Sequence, residues 1–274
     1  MIVNSKSLLL NAKKNKQVIF QFNGNNLEWT KYILEVINER NIPVILGYSE
    51  GAISYMGGYD IVVSIIKSLV KSLNIKPDVV IHLDHGSSYE SCKKAIESGF
   101  TSVMYDGSKL SLEENINVTK KVIELSIKHD VSVEGELGYV GTSKDDISYT
   151  NIDDAIYYVT STKVDSLAPA VGNAHGIYKD VPKIEFPLIK ELSLKLDLPL
   201  VLHGGSGLSN ETFIKCANNG ICKININTEL QVSWASSVRK YLLNNKEVYD
   251  PRKIISSGEQ ALKNSINEYI DLFY

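Results

Sequence analysis

Eight short runs rich in β-branched and apolar residues recur along this chain at a spacing that few folds can use. They are VIFQF (18–22), VILGY (44–48), DVVIHL (78–83), SVMYD (102–106), VSVEGEL (131–137), DSLAPAV (165–171), LPLVLH (198–203) and CKININ (222–227). Gly, Asn, Asp and Pro bound them, as expected of strands that end in turns. Segments with helical spacing lie between them, among them 27–40, 59–73, 111–129 and 209–218. The seven steps from residue 18 to residue 222 average about 29 residues, the length of one βα unit. Eight consecutive units predict an α/β fold, the (β/α)8 TIM barrel. The competing doubly wound sheet would carry a GxGxxG fingerprint after its first strand, and none is there. No Pro- or Ser-rich linker divides the chain. Residues 1–274 are expected to form a single domain with an extra C-terminal helix over 258–273, covering the barrel or contacting a neighbour.

Composition narrows the partners. A net charge of −3 gives no general attraction to nucleic acid or to an anionic membrane, so any phosphate must be held by local groups. Three widely spaced cysteines without a CxxC pair read as reduced thiols. MIVNSKSLLLNAKK lacks the long apolar stretch of a secretory signal, and IVVSIIKSLV is too short to span a bilayer. A cytoplasmic protein is expected.

In such barrels chemistry gathers at the C-terminal ends of the strands. Polar residues stand there in every unit: Asn23, Ser49, Asp84 and His85, Asp106, Glu136, His175, His203, and Asn225 with Asn227. Three of only five histidines belong to this series. His85, His175, His203 and Glu136 form a ligand set that suits Zn2+, although cobalt or iron would accept it too. Period-two alternation puts His82 and Asp84 on one strand face, with His85 on the other face or in the following turn. Asp84 could cap the next helix, but Ser87 and Ser88 can do so instead, which leaves it for proton transfer. Glu134 and Glu136 share a face, and at least one needs a metal or a basic partner, since an unpaired buried charge is costly. Asp106 could share a second metal position with Glu136.

After the seventh strand, Gly204, Gly205 and Ser206 in LHGGSG offer backbone N–H groups and a hydroxyl to an anion. After the eighth, Asn225, Asn227 and Thr228 in NINT precede a helix whose N-terminus favours one. Lys179 could add a cationic contact, and Arg252 in YDPRK could hold a second phosphate.

Taken in order, HLDHGSS, SVMYDGS, VEGELG, VGNAHGIYK, VLHGGSG, KININTE and YDPRK resemble the signatures of class II fructose-bisphosphate aldolases. The resemblance runs from FQFN at residue 20 to residue 253. It implies a zinc-dependent barrel enzyme, a homodimer or homotetramer, acting on sugar bisphosphate and triose phosphate substrates, with a monovalent cation as a further requirement in some cases. It would cleave fructose 1,6-bisphosphate to dihydroxyacetone phosphate and glyceraldehyde 3-phosphate, and run the reverse condensation. Position by position, His85, His175 and His203 match the zinc ligands, Glu136 a carboxylate used with zinc as it shifts, and Asp106 a second-metal contact. Asp84 matches the acid that protonates the aldehyde oxygen, and Ser49 the hydroxyl near the aldehyde carbonyl. Gly176, Gly204 to Ser206 and Asn225 to Thr228 match the dihydroxyacetone phosphate cradle. Arg252 matches the other phosphate clamp, supplied in some relatives by a partner subunit.

One departure stands out. After ELG, related sequences place a glutamate as proton-abstracting base where this chain has Lys144 in YVGTSKDD. Asp145 is taken as the base, with Asp146 as the alternative, on a lid over 139–150. Three other readings compete: the same chemistry on tagatose 1,6-bisphosphate, a weakened aldolase kept as a binding protein, and a Schiff-base aldolase using Lys223. HGGSG and NINT resemble the fructose enzymes more than the tagatose ones.

Overall fold

A computed structural model describes residues 1–138, 148–176 and 183–274. Its strands are β1 (Ile19–Asn23), β2 (Val44–Ser49), β3 (Val79–Gly86), β4 (Ser102–Tyr105), β5 (Ser132–Leu137), β6 (Ser166–Pro169), β7 (Leu200–Leu202) and β8 (Ile221–Ile226). They pair in sequence order, all parallel, and β8 closes on β1 as a barrel. The first helices are α1 (Ser5–Asn15), α2 (Leu27–Arg40), α3 (Glu50–Met56), α4 (Tyr59–Ser72), α5 (Tyr89–Ser98) and α6 (Leu112–His129). Then come α7 (Ile152–Thr162), α8 (Phe186–Lys195), α9 (Asn210–Asn218), α10 (Thr228–Asn244), α11 (Pro251–Ser256) and α12 (Glu259–Ile270). The eight-fold βα barrel predicted from spacing is the fold observed.

Local chemistry sets the boundaries. Ser88, Ser111 and Ser209 cap the helices that leave the strands' C-terminal ends, and Ser111 forms a reciprocal capping box with Glu114. Asn41, Asp130 and Lys163 end α2, α6 and α7 in the left-handed conformation and turn the chain toward the next strand. The strands are buried on both faces, which explains their dense Val, Ile and Leu content. The main core lies between the sheet's outer face and the helices.

Three features differ from the sequence reading. The third strand continues past residue 83 to Gly86, so Asp84 and His85 belong to it. The sixth and seventh strands are shorter than expected; past β6, the Asn173 side chain accepts the Val171 N–H at 2.9 Å and bends the chain. The N-terminal segment, read only as too short an apolar run for a secretory signal, is helix α1. Its Leu9 and Ala12 press on Ile19, Ile45, Val80 and Cys222 near the starts of their strands. The expected extra helix is α12, which packs against α10 and α2 and sets Tyr269 against Phe20 of β1, ring centroids 6.0 Å apart. All three cysteines are buried free thiols, and burial pushes the Cys92 and Cys216 thiols up to about 12. Among the described residues, no single helix is long and apolar enough to cross a membrane.

Candidate active site at the strand C-termini

The site begins with an irregularity in β3. Its pairing with β4 shifts register between Leu83 and Gly86, while its pairing with β2 stays regular as far as Asp84 opposite Ser49. His85 takes a φ of +54°, which is uncommon outside glycine. This bulge lets consecutive residues, Asp84 and His85, line the same cavity, which strict alternation would forbid. Strand periodicity therefore left the direction of His85 open.

That cavity, about 200 Å³, is also lined by Asn23 and Ser49, and by His175 with Gly176 from the segment after β6. Gly204, Ser206, Asn225, Asn227 and Thr228 complete it. Residues from six separate stretches of sequence are thus gathered at one mouth. Asp84 is no helix cap; Ser88 does that work, accepting the Ser91 N–H at 3.1 Å. Instead Asp84 accepts hydrogen bonds from Asn23 Nδ2 at 2.7 Å and Asn225 Nδ2 at 3.4 Å. Burial alone would raise its pKa, but the positive His85 and His203 beside it hold the carboxyl well below the ordinary range. Ser49 has a second task as the N-cap of α3, accepting the Ala52 N–H at 3.3 Å.

His85 and His175 of that lining belong to the groups that could hold a metal. The His85 ring sits 4.9 Å from that of His175 and 4.8 Å from that of His203, centroid to centroid. Ligand atoms of these three histidines all fall within 4.8 Å of one another, as do those of His85, Asp106 and Glu136. His85 Nδ1 is 3.0 Å from Asp106 Oδ2, while Asp106 Oδ1 accepts the Ser108 N–H and hydroxyl. Burial opposes a charge on His85, and the bond to Asp106 raises its pKa against that. His203 is fully buried; its two carboxylate neighbours, Glu134 and Glu136, overcome burial and raise it to about 10.

One observation tests the fit of a cation. His203 Nδ1 and Glu136 Oε2 face each other at 3.1 Å, yet neither makes an aligned hydrogen bond, and both are shut off from solvent. Buried polar atoms are rarely left so. A divalent ion accepting both as ligands, with His85 and His175 completing the set, would satisfy them.

The phosphate side is built from backbone. Gly204 has a φ of +62°, and a Cβ there would meet the carbonyl oxygen of Ala174 at 2.1 Å, so only glycine fits. The Gly205 N–H donates to the Asn225 carbonyl and the Asn227 N–H to Ser206 Oγ, which ties the two loops together. The side chain of Asn227, at the N-cap of α10, does not cap that helix, so its first N–H groups are not taken up there.

Other singled-out residues lie elsewhere. Gly205, Asp106, Glu136 and His203 are not among the residues that line the cavity. Arg252 is not brought to it: its guanidinium pairs with Asp250 at 2.9 Å, with the side chain 89% exposed. Lys179, Lys144, Asp145 and Asp146 lie outside the described residues, as does most of the expected lid. Sequence reasoning missed Glu229, which accepts the Gly207 N–H at 3.1 Å and the Tyr269 hydroxyl, bracing the glycine loop against α12. It also missed Glu50, whose carboxylate takes the Ser87 N–H and hydroxyl just beyond the β3 bulge.

Known proteins match this arrangement over its full length. The sequence profile of the family described as Fructose-bisphosphate aldolase class-II matches residues 3–274. A fructose-bisphosphate aldolase of Staphylococcus aureus (strain Mu50) is 47% identical over 277 residues, covering 99% of this chain and 97% of that protein. One from Mycoplasma genitalium is 44% identical over 283 residues, covering 99% and 98%. The crystal structure of the YdjI aldolase from Escherichia coli K12 superposes with a TM-score of 0.87 at 30% identity, covering 100% of this chain and 97% of that one.

Proposed function

The chain belongs to the class II fructose-bisphosphate aldolase family, whose members are lyases, and from that premise we infer what its site does. The reaction is reversible cleavage of fructose 1,6-bisphosphate to dihydroxyacetone phosphate and glyceraldehyde 3-phosphate. The observation that carries this reading is the convergence of three imidazoles and buried Glu136 beside Asp84, under two N–H-rich loops.

We assign Zn2+ to His85, His175 and His203, with Glu136 and Asp106 as alternative contacts; cobalt or iron would suit the same donors. Held there, the ion would polarise the ketose oxygens and make the neighbouring C–H acidic. Gly204, Gly205, Ser206, Asn225, Asn227 and Thr228, with Gly176, hold the phosphate next to the ketone through backbone N–H groups and hydroxyls. Asp84, kept as a carboxylate and aimed by Asn23 and Asn225, accepts the C4 hydroxyl proton as the C3–C4 bond breaks, and returns it in condensation. Ser49 bonds the departing aldehyde oxygen. Asp145 is assigned as the base at C3, because Lys144 stands where relatives are expected to carry a glutamate. Lys179 and Arg252 are assigned to the phosphates, Arg252 in an assembled homodimer or homotetramer. The reading treats residues 1–274 as one domain working in the cytoplasm, on sugar bisphosphates and not on nucleic acid or membranes. A monovalent cation is a further candidate requirement.

The test is cleavage of fructose 1,6-bisphosphate and of tagatose 1,6-bisphosphate by the purified chain, with EDTA and after zinc is restored. Activity on the fructose ester that EDTA abolishes and zinc rescues supports the assignment. Preference for the tagatose ester moves the substrate to its epimer. Inactivity on both with zinc bound points to a chain that binds sugar phosphates without turning them over.

A further inference from the structure

Glu134 and Glu136 stand two residues apart on β5, face the same way, and have different partners. Glu136 Oε2 looks toward His203 Nδ1 without a hydrogen bond. Glu134 is fully engaged: Oε2 lies 2.7 Å from Lys223 Nζ and accepts from Ser166 Oγ at 3.3 Å, while Oε1 lies 3.0 Å from His203 Nε2. The side chains of Glu134, His203 and Lys223 are each at most 2% exposed. Strands β5 and β8 are not neighbours in the barrel, so the Glu134–Lys223 pair spans its interior. Lys223 does not line the cavity, and its amine is taken by a carboxylate, which argues against a Schiff-base role.

The pairing decides which nitrogen of His203 faces the site. An ionised carboxylate only accepts hydrogen bonds, so His203 Nε2 must carry the hydrogen it shares with Glu134. The other nitrogen, Nδ1, is the one turned toward Glu136. An imidazole that binds a cation must offer it an unprotonated nitrogen, and the bond made by its second nitrogen fixes both tautomer and ring plane. A lone carboxylate in this interior would be costly, and Lys223 offsets its charge.

We propose that Glu134, held and neutralised by Lys223, is the positioning residue that presents His203 Nδ1 to the metal, while Glu136 is the carboxylate left for the ion itself. The two glutamates thus divide one strand face between supporting a ligand and being one. This rests on His203 being a metal ligand, as assigned above.

Two double variants separate the charge pair from the hydrogen bond. Glu134→Gln with Lys223→Met keeps an amide oxygen for His203 Nε2; Glu134→Leu with Lys223→Met is equally neutral but offers no acceptor. Zinc affinity is measured by chelator competition, and folding by thermal melts. The glutamine pair is expected to bind zinc within tenfold of the parent, the leucine pair about 10–100-fold more weakly. Equal affinities in two folded variants would overturn the proposal. A second measurement needs no variant: ¹⁵N NMR of the zinc-loaded protein should show His203 with a protonated Nε2 and a metal-bound Nδ1. The reverse assignment would overturn it even if the leucine pair failed to fold. His203→Ala distinguishes the underlying reading: unchanged zinc affinity there would mean that His203 is no ligand, and the metal site itself would fall.

Discussion

The two ends of this barrel are made from the same eight strands and could hardly be less alike. At the strands' N-terminal end, Leu9 and Ala12 of α1 close the opening against Ile19, Ile45, Val80 and Cys222. Two lysines of α1 pair at the rim, Lys6 with Asp165 at 2.9 Å and Lys13 with Asp197 at 3.3 Å. At the C-terminal end the mouth is open, and several of its polar groups, Asn23, Asp84 and Asn225 among them, are buried. One end is closed by an apolar plug, near the ordinary rule of apolar groups inside. The other breaks it, and such exceptions are expected where function requires them. Stability should therefore reside mostly at the plugged end and chemistry at the open one.

Substitutions at the two ends test that separation. The largest effect is expected from Asp84→Ala, which removes the group assigned to carry the proton: kcat should fall about 10²–10⁴-fold, as for loss of a general acid or base. The melting temperature should fall only modestly, since Asn23 and Asn225 lose an acceptor while a buried charge is removed. A comparable loss of stability would mean that the open end also carries the fold. Leu9→Ala is the mirror experiment. Truncating a leucine that is 1% exposed should cost about 2–5 kcal/mol in denaturant unfolding, with kcat and KM unchanged. A tenfold change in KM instead would show that the plug is felt at the mouth.

The difference between the ends also explains what could be read from the sequence. Parallel strands buried on both faces must be apolar and β-branched, so all eight were visible, and their order at even spacing dictated closure. The helix α1 was not, because its lysines masked a short apolar stripe that gains meaning only against the barrel floor. At the mouth, residue types pointed to candidate ligands, since histidines at three strand ends that meet in one place have few other uses. Their directions were less visible: His85 points inward because β3 shifts against β4, a property of the pairing and not of HLDH itself. Period two put Glu134 and Glu136 on one face, but their division of labour depends on Lys223, 89 residues further along the chain.

Glu50 gives the finest probe of the boundary between the two roles. It opens α3 beside Ser49 and holds the Ser87 N–H and hydroxyl at 2.9 Å, two residues beyond the left-handed His85. Its work is structural in kind but adjacent to the chemistry. Burial opposes its charge, yet donors from Ser91 and Ser87 outweigh that and lower its pKa. A carboxyl depressed in the folded state stabilises above its unfolded pKa, and that contribution is lost as pH falls through the folded value. Glu50→Gln should therefore cost about 0.5–1.5 kcal/mol at neutral pH, toward the lower end because water screens a partly exposed group. The cost should fade in unfolding curves taken at progressively more acidic pH, below the ordinary carboxylate range. If the variant also binds zinc several-fold more weakly at neutral pH, the clamp reaches His85, and the separation between stability and chemistry lies inside the mouth, not at its rim.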